Sequence, residues 1–189
     1  PLAIASPFFE KLPLQEHRLE FIKVKLPAAH PFDNGKAAVL ADSVTGTASL
    51  LGNDQQVYTT MVQPLVDQWP LIRNNILGPL SFPKNPVAFA RFGLNALQSA
   101  KRISKKFATK EARGLWAGMA AHSMQPLTNI SSAAIGLVLM AAGHLRGWPI
   151  PKGGSQSIAD ALASYFLSLG GKIETGVFIN SLDQLPSSH

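Results

Sequence analysis

The order of hydrophobic and polar residues in the first part of the chain is typical of short strands. Residues 19–26 (LEFIKVKL) alternate apolar and charged side chains with nearly the two-residue period of a half-buried strand. Further on, the Asn-Gly pair at residues 34–35 favours a tight hairpin turn, with arms over residues 30–32 and 36–40. We therefore predict a strand and hairpin region over residues 1–41.

From Asp42 onward the apolar residues recur at helical spacing. Either Asp42 or Ser43 can cap a short helix, and either Asn53 or Asp54 can cap a longer one, because these side chains accept hydrogen bonds from the free N–H groups of a first helical turn. We predict a helical region over residues 42–148.

Prolines interrupt this helical pattern. Pro64 and Pro70 fall inside the longer helix and predict kinks or breaks near residues 63 and 69, because proline lacks the N–H group that a helix needs. The remaining pattern predicts three further helices, over residues 87–104, 109–122 and 129–145.

Residues 149–189 combine a glycine turn, a helix and a strand. An amphipathic helix is predicted over residues 157–169, and the Gly-Gly pair at 170–171 ends it. Residues 172–177 (KIETGV) are predicted to form a strand. The predicted fold class is therefore α+β, a helical layer with a small and mostly antiparallel sheet.

Composition narrows the class of protein. The 189 residues are 46% hydrophobic and 15% charged, which indicates a globular chain. The absence of cysteine excludes disulfide scaffolds, thiolate zinc sites and cysteine nucleophiles. The longest apolar run, residues 133–143, is about half the length of a bilayer-spanning helix and predicts a buried helix. The five histidines share no metal-binding spacing and no serine nucleophile motif occurs, so we assign no metal site and no catalytic residue.

Basic residues cluster in the middle of the chain, which carries a net charge of +6. Four of them are candidates for a peripheral contact with an acidic membrane surface: Lys101, Arg102, Lys105 and Lys106. A nucleic-acid partner is less favoured, because no nucleic-acid-binding motif accompanies the cluster. A solvated helix face is the simplest interpretation of such a run.

Several residues of the helical region have two interpretations each. His122 and His144 either face a cavity or bind the last carbonyl groups of a helix, and we favour the second role. Trp116, Met119 and Met140 occur at helical spacing, which favours core packing over a cofactor site.

The glycine loop at residues 151–157 (PKGGSQS) is a candidate ligand site. Two glycines before a helix expose backbone N–H groups without side chains, which suits an anionic or planar ligand. The same pair is also typical of a plain tight turn, and the loop matches neither the Walker motif nor the dinucleotide-binding motif.

Residues 147–182 (GWPIPKGGSQSIADALASYFLSLGGKIETGVFINSL) resemble the phytoene desaturase-like FAD-dependent oxidoreductases, within the amine-oxidase-like flavoprotein superfamily. In that family a Pro-x-Gly-Gly loop, a helix built on ADAL, a Gly-Gly pair and an I-x-T-G strand follow one another in this order. The likeness extends to AHPFDNGKAAVL, LWAGMAAHSMQPL and AIGLVLMAAGHLRG, so it covers essentially the whole chain.

The resemblance implies a fragment of a two-domain FAD-binding fold. Residues 1–41 and 42–148 match the substrate domain, and residues 149–189 match the segment that returns to the FAD domain. The strand over residues 172–177 is then expected to join the sheet of that FAD domain.

The resemblance also implies cofactor contacts. Gly153, Gly154 and Ser155 match the glycine loop that lies near the flavin and the substrate. Val177 matches the residue whose backbone meets the adenine end of FAD.

The function implied by the family is that of an FAD-dependent dehydrogenase or desaturase acting on an apolar, isoprenoid or lipid-like substrate, in the cytoplasm or at a membrane surface. The dinucleotide-binding motif of the family does not occur in this sequence, so we expect the chain alone to bind no FAD and to be inactive. The alternative is a non-catalytic helical module that binds an apolar ligand or a protein partner through residues 133–145.

Overall fold

The computed structural model describes residues 1–185, which contain eight α-helices and four short strands. The predicted α+β class is confirmed, and the two-domain FAD-binding fold stays a prediction. The chain divides into two compact units: a large unit of Pro1–Leu12 and Phe21–Ile150, and a small unit of Pro13–Glu20 and the residues from Pro151 onward. The predicted parts 1–41, 42–148 and 149–189 stay predictions, and the last of them includes residues 186–189, which lie outside the described residues.

The helices are α1 (Leu2–Ala5), α2 (Val44–Leu50), α3 (Gln55–Ile76), α4 (Pro86–Ala96), α5 (Ala100–Ser104), α6 (Lys110–Ala121), α7 (Ala133–Arg146) and α8 (Gln156–Ser168). The strands are β1 (Phe21–Ile22), β2 (Ala28–Pro31), β3 (Ala37–Leu40) and β4 (Ile150–Pro151). Two two-stranded sheets result, one pairing β2 with β3 and the other pairing β1 with β4.

The predicted hairpin is confirmed. Strands β2 and β3 run antiparallel, with Ala28 opposite Leu40 and Pro31 opposite Ala37. Gly35 closes the turn at a φ of +77°, a conformation that glycine adopts without steric cost.

Outside the hairpin, the strand region predicted over residues 1–41 is mostly not strand. Within residues 19–26 only β1 pairs with another strand, because its partner β4 is itself two residues long. Residues 2–5 form helix α1, which packs on α7 with Ala5 buried, so tertiary contact decides the conformation there.

Helix α3 continues through both of the prolines at which breaks were expected. It runs for 22 residues through Pro64 and Pro70 without a break, so the predicted breaks are wrong. Its inward face is buried at every turn, by Tyr58, Val62, Leu65, Trp69 and Ile72. Packing of that face offsets the hydrogen bonds that the two prolines remove.

The single helix predicted over residues 87–104 is replaced by two helices, α4 and α5. The carbonyl groups of Leu97 and Gln98 accept hydrogen bonds from the N–H groups of Ser131 and Ala133, at 3.2 and 3.3 Å. Ser99 then caps α5, accepting the N–H of Arg102 at 3.2 Å. The backbone before α7 therefore ends α4 by taking the carbonyl groups that a longer helix would use.

Asp54 joins the starts of two helices. Its carboxylate, 1% exposed, makes no capping bond to α3. It accepts the N–H of Ala108 at 2.7 Å and the N–H of Thr109 at 2.8 Å, and it also accepts the Thr109 hydroxyl. Burial alone raises the pKa of Asp54, but the hydrogen bonds from Thr109 and Ala108 and the charge of Arg113 outweigh it, so the pKa lies below its ordinary value.

The core of the large unit lies where α6 crosses α7. A Cβ atom built on Gly136 would lie 3.1 Å from both the Cα and the N of Ala120, so the absence of a side chain lets the two backbones approach. Trp116, Met119 and Met140 are fully buried here, which confirms their assignment to the core. The predicted buried helix at residues 133–143 is also confirmed, and no helix within residues 1–185 is long and apolar enough to cross a membrane.

The small unit contains α8 and the segment Pro13–Glu20. Leu14, Leu19 and Ala161 are its buried apolar residues, and His17 shares a 2.8 Å hydrogen bond with the hydroxyl of Ser164. The predicted stop of α8 is confirmed: the N–H groups of Gly170 and Gly171 donate to the carbonyls of Leu167 and Phe166, at 3.0 and 3.1 Å.

The predicted strand at residues 172–177 does not form. These residues follow α8 without regular structure, and all of their side chains are exposed. A strand requires a neighbour that completes its backbone hydrogen bonds, and no other described segment supplies one.

Two glycine-to-alanine substitutions separate helix propensity from packing. Gly93 and Gly136 both lie inside helices, but a Cβ at Gly93 meets nothing within 4 Å. We expect Gly93→Ala to raise the free energy of unfolding by about 0.5–1 kcal/mol. We expect Gly136→Ala to lower it by about 1–3 kcal/mol, because the new methyl group overpacks the helix crossing. Urea unfolding of both variants measures the difference, and equal stabilisation would show that the close approach is not important.

Asp54→Asn tests the junction between α3 and α6. The amide places an NH₂ group against donors of Thr109, so we expect the free energy of unfolding at pH 7 to fall by about 2–3 kcal/mol. Asp67→Asn, the same change at an exposed site of α3, is the control and should cost less than about 0.5 kcal/mol.

The pH dependence of the same variant has a definite sign. Because the folded-state pKa of Asp54 is lowered, its contribution is present above the ordinary pKa of about 4 and is lost as the pH falls through the folded value. The difference in free energy of unfolding between the wild type and Asp54→Asn should therefore become smaller below about pH 4. A difference that stays constant down to pH 2 would contradict this account.

Candidate functional site

The glycine loop before α8 has an open backbone. Gly153 and Gly154 have φ angles of +86° and +95°, and a Cβ atom built on either would meet nothing within 4 Å. The N–H of Gly154 closes a turn on the carbonyl of Pro151 at 3.0 Å. The N–H groups of Gly153 and Ser155 make no hydrogen bond within residues 1–185. The loop therefore offers free donors next to the start of a 13-residue helix.

The glycine loop is attached to the small unit by Glu20. The carbonyl of Glu20 accepts the N–H of Lys152 at 2.9 Å, and its carboxylate lies 2.7 Å from the Lys152 ammonium. The hydrogen bond and the charge of Glu20 both raise the pKa of Lys152. These bonds fix the residue that immediately precedes the two glycines.

The predicted FAD contacts are only partly brought together. Gly153, Gly154 and Ser155 form one continuous loop, whereas Val177 follows α8 and no hydrogen bond joins it to the loop. Ser155 stands at the N-cap position of α8 but makes no side-chain capping bond, which leaves its hydroxyl exposed. Free N–H groups, positive φ angles and open space suit the approach of an anionic or planar group, so these residues fit a flavin cofactor.

A groove with a volume of about 950 Å³ lies between α3 and α4 of the large unit. Its apolar walls are formed by Val57, Met61, Leu65, Phe92 and Leu94. Val57, Met61 and Leu65 recur every four residues and therefore share one face of α3. The groove could not be predicted from the sequence, because the helical spacing within α3 and α4 does not show how these two consecutive helices pack against each other.

Polar and positively charged residues also line the α3–α4 groove. Arg91 and Lys106 line it, together with the uncharged polar residues Gln56, Thr60, Gln68 and Asn95. A smaller depression of about 310 Å³ shares Gln68 and Arg91 with the groove and adds Lys84. No acidic residue lines either concavity.

The basic cluster reaches the groove through one member. Lys101, Arg102, Lys105 and Lys106 are all exposed, and within residues 1–185 none of them forms an ion pair. Lys106 is the member that lines the groove.

His144 differs from its predicted role. Its Nε2 lies 2.7 Å from the hydroxyl of Tyr58, which is 1% exposed, so the partly buried His144 is a hydrogen-bond partner inside the large unit and not a helix cap. Burial lowers the pKa of His144 to about 4, although the backbone of Ala41 and the charge of Asp42 act in the opposite direction. Burial also raises the pKa of Tyr58, so both groups are neutral at pH 7. No sequence spacing links the two residues, which are 86 positions apart.

His122 has the role that was predicted for it. It stands at the C-cap position of α6, with its Nδ1 3.1 Å from the carbonyl of Gly118. Nearby, burial and the charge of His122 lower the pKa of His30. Within the described part of the chain, no three His, Asp or Glu side chains form a group that could hold a metal ion.

Comparison with known proteins gives no relative. The chain matches no protein-family model, no curated protein and no solved structure. The resemblance to the phytoene desaturase-like flavoproteins therefore stays a prediction that depends on the quoted sequence motifs.

The Tyr58–His144 pair predicts how stability depends on pH. The pKa of His144 is about 6.5 in the unfolded chain and about 4 in the folded one, so the free energy of unfolding falls as the pH drops through 6.5 and towards 4. Between pH 7 and pH 4.5 the titration of His144 should lower the free energy of unfolding by about 2 kcal/mol.

Urea unfolding of the wild type and His144→Gln at the two pH values measures this loss. The variant should lose about 2 kcal/mol less than the wild type over the same interval. Arg102→Gln, which changes an exposed residue without an ion pair in residues 1–185, is the control and should keep the wild-type pH dependence. If His144→Gln kept the wild-type pH dependence, His144 would not be the group whose neutral form stabilises the fold.

Proposed function

We propose that the chain is the substrate-binding part of an FAD-dependent oxidoreductase similar to the phytoene desaturase-like enzymes, and that the α3–α4 groove receives an apolar substrate. The observation that carries the proposal is the groove itself. Its volume of about 950 Å³ lies within the range of small-molecule sites, and both helices contribute apolar side chains to it.

The groove residues have a binding and orienting role in this proposal. Side chains such as Met61 and Phe92 remove apolar surface of the substrate from water, which is the main favourable contribution for a ligand of this kind. Met61 adds flexibility, because an unbranched thioether adapts to irregular shapes. The polar residues that line the groove restrict the orientation of the substrate.

The glycine loop has the cofactor role. Gly153, Gly154 and Ser155 would hold the flavin through backbone N–H groups, and Val177 would contact its adenine end. The open backbone and the free N–H groups of the loop support this assignment. FAD, when bound, supplies the redox chemistry by accepting hydride equivalents from the substrate. The chain itself supplies contacts and position, and no acid or base is assigned to it.

A peripheral membrane contact is proposed as the source of an apolar substrate. The exposed cations Lys101, Arg102, Lys105 and Lys106 lack ion-pair partners within residues 1–185, and such clusters are attracted to anionic lipid surfaces. In the connector between α3 and α4, Leu80 and Phe82 are almost fully exposed, and apolar side chains of this kind enter the headgroup region of a bilayer.

A non-catalytic module that binds an apolar ligand is the second candidate. The same α3–α4 groove supports it, because an apolar site does not require a cofactor. The surface first predicted for this function is wrong, since residues 136–143 of α7 are all buried in the core. The presence of flavin distinguishes the two candidates.

The flavin proposal is tested on the longest protein encoded by the reading frame that contains this sequence. That protein should purify with the yellow absorbance of oxidised flavin, whereas residues 1–189 alone should be colourless. We expect Gly154→Ala to lower the flavin content several-fold, because the substitution strains the loop and places a methyl group where the cofactor approaches.

Gly35→Ala is the matched control. Gly35 has a φ of +77° and equally open surroundings, but it lies in the hairpin turn. Its flavin content should equal that of the wild type. A colourless longer protein would favour the non-catalytic candidate, and an equal loss in both variants would remove the glycine loop from the cofactor site.

A further inference from the structure

We propose that the α3–α4 groove binds a single-chain amphipathic anion, a molecule with one long apolar chain and a carboxylate or phosphate head. This inference rests on the proposed function, because it names the substrate class of the same groove. It goes further than an apolar substrate, since it assigns a charged head to that substrate and a role to two cations.

The apolar side chains that line the groove suit a linear alkyl chain. Val57, Met61 and Leu65 form a stripe along α3 that is about 12 Å long, at a rise of 1.5 Å per residue. Phe92 and Leu94 of α4 form the opposite wall. An extended alkyl chain that lies along this stripe contacts apolar side chains on both sides.

The charge of the groove favours an anion. Arg91 and Lys106 line it, no acidic residue lines it, and neither cation forms an ion pair within residues 1–185. Both cations are exposed, so an anionic head can approach them from the solvent, whereas a neutral hydrocarbon gains nothing from their charge. A carboxylate or phosphate supplies that charge, and a guanidinium such as that of Arg91 binds either group through two hydrogen bonds.

The fold fixes one of these cations beside the apolar stripe. Asp54 binds the backbone of Ala108 and Thr109, two and three residues after Lys106. The same Asp54 precedes Gln56 and Val57, which line the groove. The short connections on both sides of this buried carboxylate therefore hold Lys106 next to the first turn of α3.

The groove is less suited to the other occupants. A cationic amphiphile would meet Arg91 and Lys106 without any acidic partner. A bilayer presents a broad surface, whereas most apolar side chains of the groove line a concavity and are at least partly buried: Val57, Met61, Leu65 and Phe92. A free amphiphile with one chain is the ligand that matches both the shape and the charge.

The test compares four ligands that share a twelve-carbon chain: dodecanoate, dodecyl phosphate, dodecanol and dodecyltrimethylammonium. Each is titrated into the chain of residues 1–189 by calorimetry, at low salt and below its micellar concentration. We expect at least one of the two anions to bind about tenfold or more tightly than dodecanol, and the cation to bind more weakly than dodecanol. Whichever anion binds more tightly identifies the head group.

The matched variants carry two substitutions each. Arg91→Gln with Lys106→Gln removes the cations of the groove, and Arg102→Gln with Lys105→Gln removes the same charge from exposed positions that do not line it. The groove variant should lose about tenfold in affinity for the anion and keep its affinity for dodecanol. The surface variant should keep both affinities within about twofold.

Several results would overturn the inference. If dodecanol bound as tightly as both anions, the groove would be an apolar site only, and the proposed function would stand without the anionic head. If both variants lost the same affinity, the effect would be one of net charge. If none of the four ligands bound, or the chain bound only vesicles of anionic lipid, the groove would lose its role in the proposed function too, a failure that the flavin measurement does not detect.

Discussion

One buried carboxylate joins the start of α3 to the segment that leads into α6, and residues beside both ends of this junction line the groove. Asp54 accepts three hydrogen bonds from Ala108 and Thr109, so the starts of α3 and α6 are held together although they are more than fifty residues apart in sequence. An unpaired carboxylate at 1% exposure would be strongly unfavourable, so this arrangement has to form with the fold. The residues on either side of the junction, Gln56 and Lys106, face the same groove.

The two units differ in how their candidate sites are built. The glycine loop of the small unit is a backbone site: its donors are N–H groups, and its positive φ angles keep side chains out of the way. The α3–α4 groove of the large unit is a side-chain site, with apolar walls and two cations. In the proposed function the glycine loop contacts the cofactor, because its backbone donors suit a flavin. The groove contacts the substrate, because its apolar side chains suit a lipid-like molecule.

Features specified by neighbouring residues could be predicted from the sequence. The Asn-Gly hairpin at residues 34–35, the Ser43 cap of α2 and the Gly-Gly stop of α8 all formed as expected, because each depends on a few adjacent side chains or φ angles. Features that depend on distant partners could not be predicted. Pro64 and Pro70 do not break α3 because its other face is packed, and residues 172–177 form no strand because no described segment pairs with them. The groove and the Tyr58–His144 pair belong to this second group, since each joins residues of different helices.

The central claim, that the α3–α4 groove is the binding site, is tested most directly by methyl NMR of the four methionines during a titration with dodecanoate. Met61 lines the groove, Met119 and Met140 are buried in the core, and Met124 is 91% exposed away from it. The account predicts a saturable shift of the Met61 methyl signal, while the signals of the other three stay in place. An unchanged Met61 signal, or an equal shift of Met124, would contradict it.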